Sequence, residues 1–235
     1  MAVCMARTRP PAPPPEAPLP TELLLSPRTF ARKLGGTELL WWRYLGVVAV
    51  AGLLGGVAYA LLVRHAAVFA AAASGSSAPT LATHLVNTLG TTFLTVLIFV
   101  LMWGLGRVGA GLAGRAAEVY AASFALMPPL YLLVIIWGLL TPAAAFLPDA
   151  TVTGSLTGDP RTLERAALAQ TAQTSAGFLL VVVTLLGTAA QFGFVYAAMR
   201  ELTGQTGRAV LGTLLPGLPA LAVQLIAVSP LVFAR

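Results

Sequence analysis

The chain has 235 residues but a single cysteine, Cys4, and only two histidines, His65 and His84. One thiol excludes an internal disulfide and a cysteine-built metal cage. Two imidazoles with no suitably placed acid fall short of the three or four ligands a metal takes. The histidines are read as interfacial side chains, and no metal is expected. Charge is scarce too: 9% of residues carry it, against about 25% in soluble domains. Fourteen basic and eight acidic side chains cannot cover a water-soluble globule of this size. Enzyme motifs are missing. H-E-x-x-H, G-x-S-x-G and G-x-x-x-x-G-K-[ST] do not occur. The apolar stretches hold no titratable carboxylate in their interiors, where intramembrane chemistry would need one. The chain is therefore read as non-enzymatic and free of cofactors. Its basic residues are not grouped on a helix face with interleaved aromatics, so nucleic acid has no footprint.

What is present is apolar surface, 57% of residues with a mean hydropathy of +0.85. The 23 glycines and 17 prolines follow no period, which excludes a collagen-like chain. The composition predicts an all-α integral membrane bundle in contact with the lipid bilayer. Five stretches approach the ~20 residues that a bilayer span needs. They run about 44–63, 81–105, 119–141, 175–199 and 210–233, within a transmembrane domain at 38–235. Residues 1–24 include RPPAPPPEAPLP at 9–20, which favours polyproline II, and are expected to form a disordered cytoplasmic tail. This start has no apolar region of the signal-peptide kind. Residues 25–37 predict a short amphipathic interfacial helix, with Ser26 as N-cap and Pro27 at its first turn. Phe30, Ala31 and Leu34 share one face, opposite Arg28, Arg32 and Lys33, as in a helix lying on an anionic membrane surface.

Orientation follows the basic residues. With the N-terminus cytoplasmic, ten of the fourteen fall inside and only Arg64, Arg161, Arg165 and Arg235 outside. The C-terminus is then outside. Trp41, Trp42, Tyr44, Trp103 and Tyr196 mark inner interfaces. Asp159-Pro160 predicts a helix start ahead of the fourth span, leading to a long helix that projects outward with a modest break near Gly177.

Pro128 and Pro129 interrupt the third span, and Pro216 and Pro219 the fifth, so both helices are expected to kink and free backbone carbonyls. Broken helices place such carbonyls at transporter sites. In many bundles, neighbouring groups simply satisfy them. Asn87, Gln191 and Gln224 are the amides within the spans, suited to hydrogen bonds between helices or to a polar path. Gly52 and Gly56 form a G-x-x-x-G pair that permits close helix approach. At the cytoplasmic side, Arg115 and Glu118 stand three apart, and Arg200, Glu201 and Arg208 lie on the neighbouring turn. With Arg32, Lys33 and Arg107 they form a candidate docking face for a protein or for anionic lipid. The alternative is charge that sets topology and pairs locally.

Together, several segments resemble bacterial members of the Yip family, named for interaction with Ypt/Rab GTPases. They are Leu25-Ser26-Pro27-Arg28-Thr29-Phe30, Ala125-Leu126-Met127-Pro128-Pro129, Ala197-Ala198-Met199-Arg200-Glu201, Gly207-Arg208-Ala209-Val210 and Leu214-Leu215-Pro216. The resemblance covers about residues 25–235 and implies a five-helix membrane domain with a cytoplasmic N-terminal tail. It also implies a scaffold or adaptor that assembles with protein partners, including related chains. Eukaryotic members bind prenylated Rab proteins through a chain that carries D-L-Y-G-P; here the nearest piece is Leu25-Ser26-Pro27-Arg28, so no functional residue carries over. Arginine in place of lysine and the Ala/Gly/Leu richness suggest a GC-rich bacterial gene, hence a plasma (inner) membrane. Two functions follow as expectations. One is a non-enzymatic scaffold recruiting a membrane or cytoplasmic protein, a second copy of the chain or lipid. The other is a small transporter or channel using the kinked third and fifth helices around Gln191 and Gln224.

Overall fold

A hydrocarbon solvent leaves backbone N–H and C=O groups no partner but each other, so apolar runs of this length form helices. The computed structural model describes residues 16–75, 77, 79–111, 115–147 and 160–232, and among them there is no strand. The α-helices are α1 (Glu22–Leu25), α2 (Pro27–Gly35), α3 (Leu45–Ser74), α4 (Leu81–Ala110), α5 (Arg115–Ser123), α6 (Met127–Leu140), α7 (Pro160–Gln173), α8 (Ser175–Thr203) and α9 (Thr206–Val232). Five helical stretches are long and apolar enough to cross a membrane: Leu45–Ala72, Leu81–Ala110, Arg115–Leu140, Ser175–Thr203 and Thr206–Ser229. The protein is a multi-pass integral membrane protein. Alternating directions bring residues 16–44 and the α4–α5 and α8–α9 connections to one end, the N-terminal face. The α3–α4 connection and α7 lie at the opposite face.

Several helices outrun the apolar stretches that predict them. α3, α4 and α8 continue to Gly75, Gly111 and Gly204, which take left-handed φ values of 67°, 67° and 63°. In each case the glycine N–H closes back onto a carbonyl of the last turn. Glycine is the residue that takes this conformation without a Cβ penalty, so it sets these helix ends more than the first charged side chain does.

The third span, Arg115–Leu140, changes its winding without leaving helical geometry. α5 gives way to a 3₁₀ turn at Phe124–Leu126, and Pro128 and Pro129 fall in the first turn of α6, where no N–H is needed. The Met127 N–H bonds to the Phe124 carbonyl, which Pro128 cannot reach. The fifth span behaves differently: α9 runs unbroken through Pro216 and Pro219.

α3 and α4 meet at the G-x-x-x-G pair. A Cβ on Gly56 would stand 2.6 Å from the Thr88 carbonyl oxygen, and one on Gly52 would stand 3.2 Å from the Thr92 Cα. The pair therefore serves a contact within this chain. α4 and α9 approach as closely, through Gly109 and Gly212. The outward face of α4 carries Leu85, Val86, Leu89, Phe93 and Leu97, all exposed in the isolated chain and suited to lipid.

No continuous helix projects from Pro160 into the fourth span. It ends at Gln173, and Thr174 caps α8 by accepting the Gly177 N–H at 3.0 Å. A side chain on Gly177 would collide with the Thr171 carbonyl, so glycine permits the tight step. α7 folds back onto α3 and buries Leu163, Ala167 and Thr171. Beside it, His65 of α3 stacks on Phe146 with ring centroids 4.6 Å apart. Residues 148–159, with Asp159, lie outside the described residues.

Candidate functional site

The N-terminal face is built by a turn-rich segment that leads back from α2 into the first span. α2 forms over the predicted residues, and its apolar face, Phe30, Ala31 and Leu34, is fully buried. What covers that face is protein: α2 packs on the end of α8, with Phe30 6.1 Å from the Tyr44 ring. This differs from a helix whose apolar side is spent on the bilayer surface. The tail is ordered closer in than its composition suggests. Leu23 of α1 is fully buried, and Tyr44, read as an interfacial aromatic, is itself buried and donates its hydroxyl to the Pro18 carbonyl at 2.6 Å. Residues 1–15 lie outside the described residues. Trp41 remains at the rim, half-exposed and stacked on Trp103.

At the centre of this face is a buried carboxylate. Glu118 is 0% exposed and holds Arg43 at 3.0 Å and Arg115 at 2.9 Å. It also accepts the Leu40 N–H. Arg115 donates in addition to the Thr37 hydroxyl and the Thr37 carbonyl. Arg43 donates to the Thr37 hydroxyl at 2.8 Å and to the Glu38 carbonyl at 2.6 Å. Two cations and one anion thus lock residues 37–43 onto the start of the third span. Within a low-dielectric surrounding such a triad holds only when its remaining donors and acceptors are also satisfied, and here backbone and Thr37 supply the partners.

The eight residues of the expected docking face therefore separate into three groups. Arg115 and Glu118 belong to the buried lock. Arg32 bonds Glu201 at 2.7 Å, joining α2 to the end of α8, and Lys33 bonds Glu22 at 2.6 Å. Arg107, Arg200 and Arg208 stay exposed, as does Arg28, and no acidic partner faces them among the described residues. Sequence reasoning missed Arg43 and Thr37. Arg43 counted only toward topology, and a threonine in a short connection gave no signal at all.

The intramembrane amides also separate. Gln191 is buried and donates to the Ser123 hydroxyl at 3.1 Å, while Ser123 donates to the Tyr120 carbonyl at 2.6 Å. It is a tie between α8 and the third span. Tyr120 donates its hydroxyl to the Gly212 carbonyl on α9. That carbonyl is the one orphaned by Pro216, four residues on, which has no N–H to offer. A tyrosine from a neighbouring span thus replaces the missing backbone donor. Tyr120→Phe is expected to lower stability by ~1–2 kcal/mol, and a Pro216→Ala background should erase most of that loss. Equilibrium unfolding of the four proteins in mixed micelles measures the coupling, and an undiminished cost in the Pro216→Ala background would falsify the pairing.

Asn87 and Gln224 come together instead. They line a cavity of about 410 Å³ among α3, α4, α6, α8 and α9. Tyr59, Thr91, Thr95, Tyr131 and Thr184 add hydroxyls to a wall that is otherwise apolar. Volumes of ~300–1,000 Å³ hold small ligands. No protein-family model, curated protein or solved structure matches this chain.

Proposed function

We propose that this chain is a non-enzymatic membrane adaptor of Yip-family type. It sits in a bacterial plasma membrane with its N-terminus in the cytosol, and its cytoplasmic face recruits a protein partner or organises lipid. The observation that carries this reading is the set of exposed arginines, Arg28, Arg107, Arg200 and Arg208, without acidic partners among the described residues. They stand around a cap that the buried Glu118 lock and the Arg32–Glu201 pair hold in place. A rigid base with unsatisfied positive charge suits an acidic partner surface, because little ordering entropy is lost on docking. Placing the N-terminus inside also puts ten of fourteen basic residues on the cytosolic side, in line with the charge rule for short loops.

The test is photo-crosslinking in native membranes from a reactive residue placed at position 203, beside Arg200. One reproducible protein adduct is expected, weakened several-fold when Arg200→Glu and Arg208→Glu are combined. Recovery of uncrosslinked monomer alone ends the case for a protein partner.

The cavity favours a second reading, a small transporter or channel. Under it, single cysteines at 87 and 224 react with a membrane-impermeant thiol reagent, while a cysteine at 191 stays protected. Full protection at 87 and 224 removes the case for a water-accessible path.

A further inference from the structure

Beyond their crossing at Gly52 and Gly56, α3 and α4 part toward the opposite face and leave a groove of about 640 Å³. One wall is Val57, Leu61, Arg64 and Val68, spaced as a single helix face, and the other includes His84 and Leu85. Val57, Val68 and Leu85 are exposed, so the groove opens sideways toward lipid. Among these largely apolar walls stands one cation, Arg64. Arg64 lies nineteen residues along α3 from Leu45, about 28 Å at 1.5 Å per residue, which matches the ~30 Å hydrocarbon thickness. The guanidinium therefore stands at the level where acyl chains give way to headgroups. It is exposed and has no acidic partner among the described residues, with the imidazole of His84 across the groove.

A long basic side chain at that level reaches into the interface, where an anion can meet it. The protein's described residues provide none, and the bilayer carries phosphates at that depth. We infer that the groove binds one phospholipid from the bilayer, its phosphate on Arg64 and His84 and one acyl chain along Val57, Leu61 and Leu85. Arginine forms paired hydrogen bonds to a phosphate, and basic pockets between spans are suited to anionic headgroups. The assignment uses only the groove and its depth, so it does not depend on what the N-terminal face recruits or on which side of the membrane is cytosolic.

The experiment uses the full chain carrying Arg200→Glu and Arg208→Glu, which reduces competing headgroup attraction at the other end. Native mass spectrometry from mild detergent reads the bound lipid while phosphatidylglycerol is titrated against phosphatidylcholine. One phosphatidylglycerol per chain is expected, held in preference to phosphatidylcholine. Arg64→Gln should weaken it about tenfold, the size of one charge-assisted pair, with Arg64→Lys losing less. Leu61→Trp, which fills the groove and leaves the cation, should weaken it as well. Unchanged retention in Arg64→Gln overturns the site. Displacement by millimolar inorganic phosphate, with Leu61→Trp without effect, overturns the lipid as occupant. Helix content and monodispersity of each variant show that it is folded.

Discussion

Replacing Glu118 by alanine is expected to cost ~3–5 kcal/mol of stability, the largest loss for any single polar side chain in this protein. The reason is what remains. Arg43 and Arg115 are only 12% and 16% exposed, and without the carboxylate two positive charges face each other in a poorly solvated place. Removing all three together, as Arg43→Met, Arg115→Met and Glu118→Leu, should recover most of the loss, because no orphaned charge is left. Reversible unfolding in mixed micelles compares the single and triple variants. A small effect of Glu118→Ala alone, under ~1 kcal/mol, would mean that water reaches the triad and that it behaves as a surface ion pair.

The second large effect comes from Gly109→Val. A Cβ at Gly109 would sit 2.6 Å from the Leu211 carbonyl oxygen and 2.8 Å from the Gly212 nitrogen, both backbone atoms of α9. Backbone cannot rotate aside as a side chain can, so α4 and α9 must separate. Overpacking of this kind costs ~1–3 kcal/mol, and the Tyr120–Gly212 bond would be strained in addition. Gly104, on the same helix, has nothing within 4 Å of a Cβ and should accept alanine with a change below ~0.5 kcal/mol. Unfolding free energies of the two variants, side by side, decide whether the close approach is needed. Equal tolerance at both positions removes the argument.

How much of this was legible beforehand depends on the kind of information involved. A span needs only length and composition, and Leu81 or Ser175 as a start could be read directly from the sequence. Helix ends depended on the glycines at 75, 111 and 204, which hydropathy does not weigh. The face of α2 was readable from its period, but not what would cover it, because that partner lies on α8, far along the chain. The same limit hid the lock. Arg115 and Glu118 are neighbours in sequence and were grouped together, while Arg43 joins them across 75 residues, and a distance of that kind leaves no periodic trace. The prolines illustrate a further gap. Pro216 announces an unpaired carbonyl, yet only the fold shows that Tyr120 answers it.

The Arg32–Glu201 bond also bears on biogenesis, since its two ends are 169 residues apart in the chain. At ~5–20 residues per second of synthesis, Arg32 is added to the chain roughly 8–34 s before Glu201. For that interval the amino-terminal cap lacks the helix end it will rest on. An insertion factor or chaperone therefore has its widest opportunity to engage the nascent chain at this stage, before the fourth span arrives.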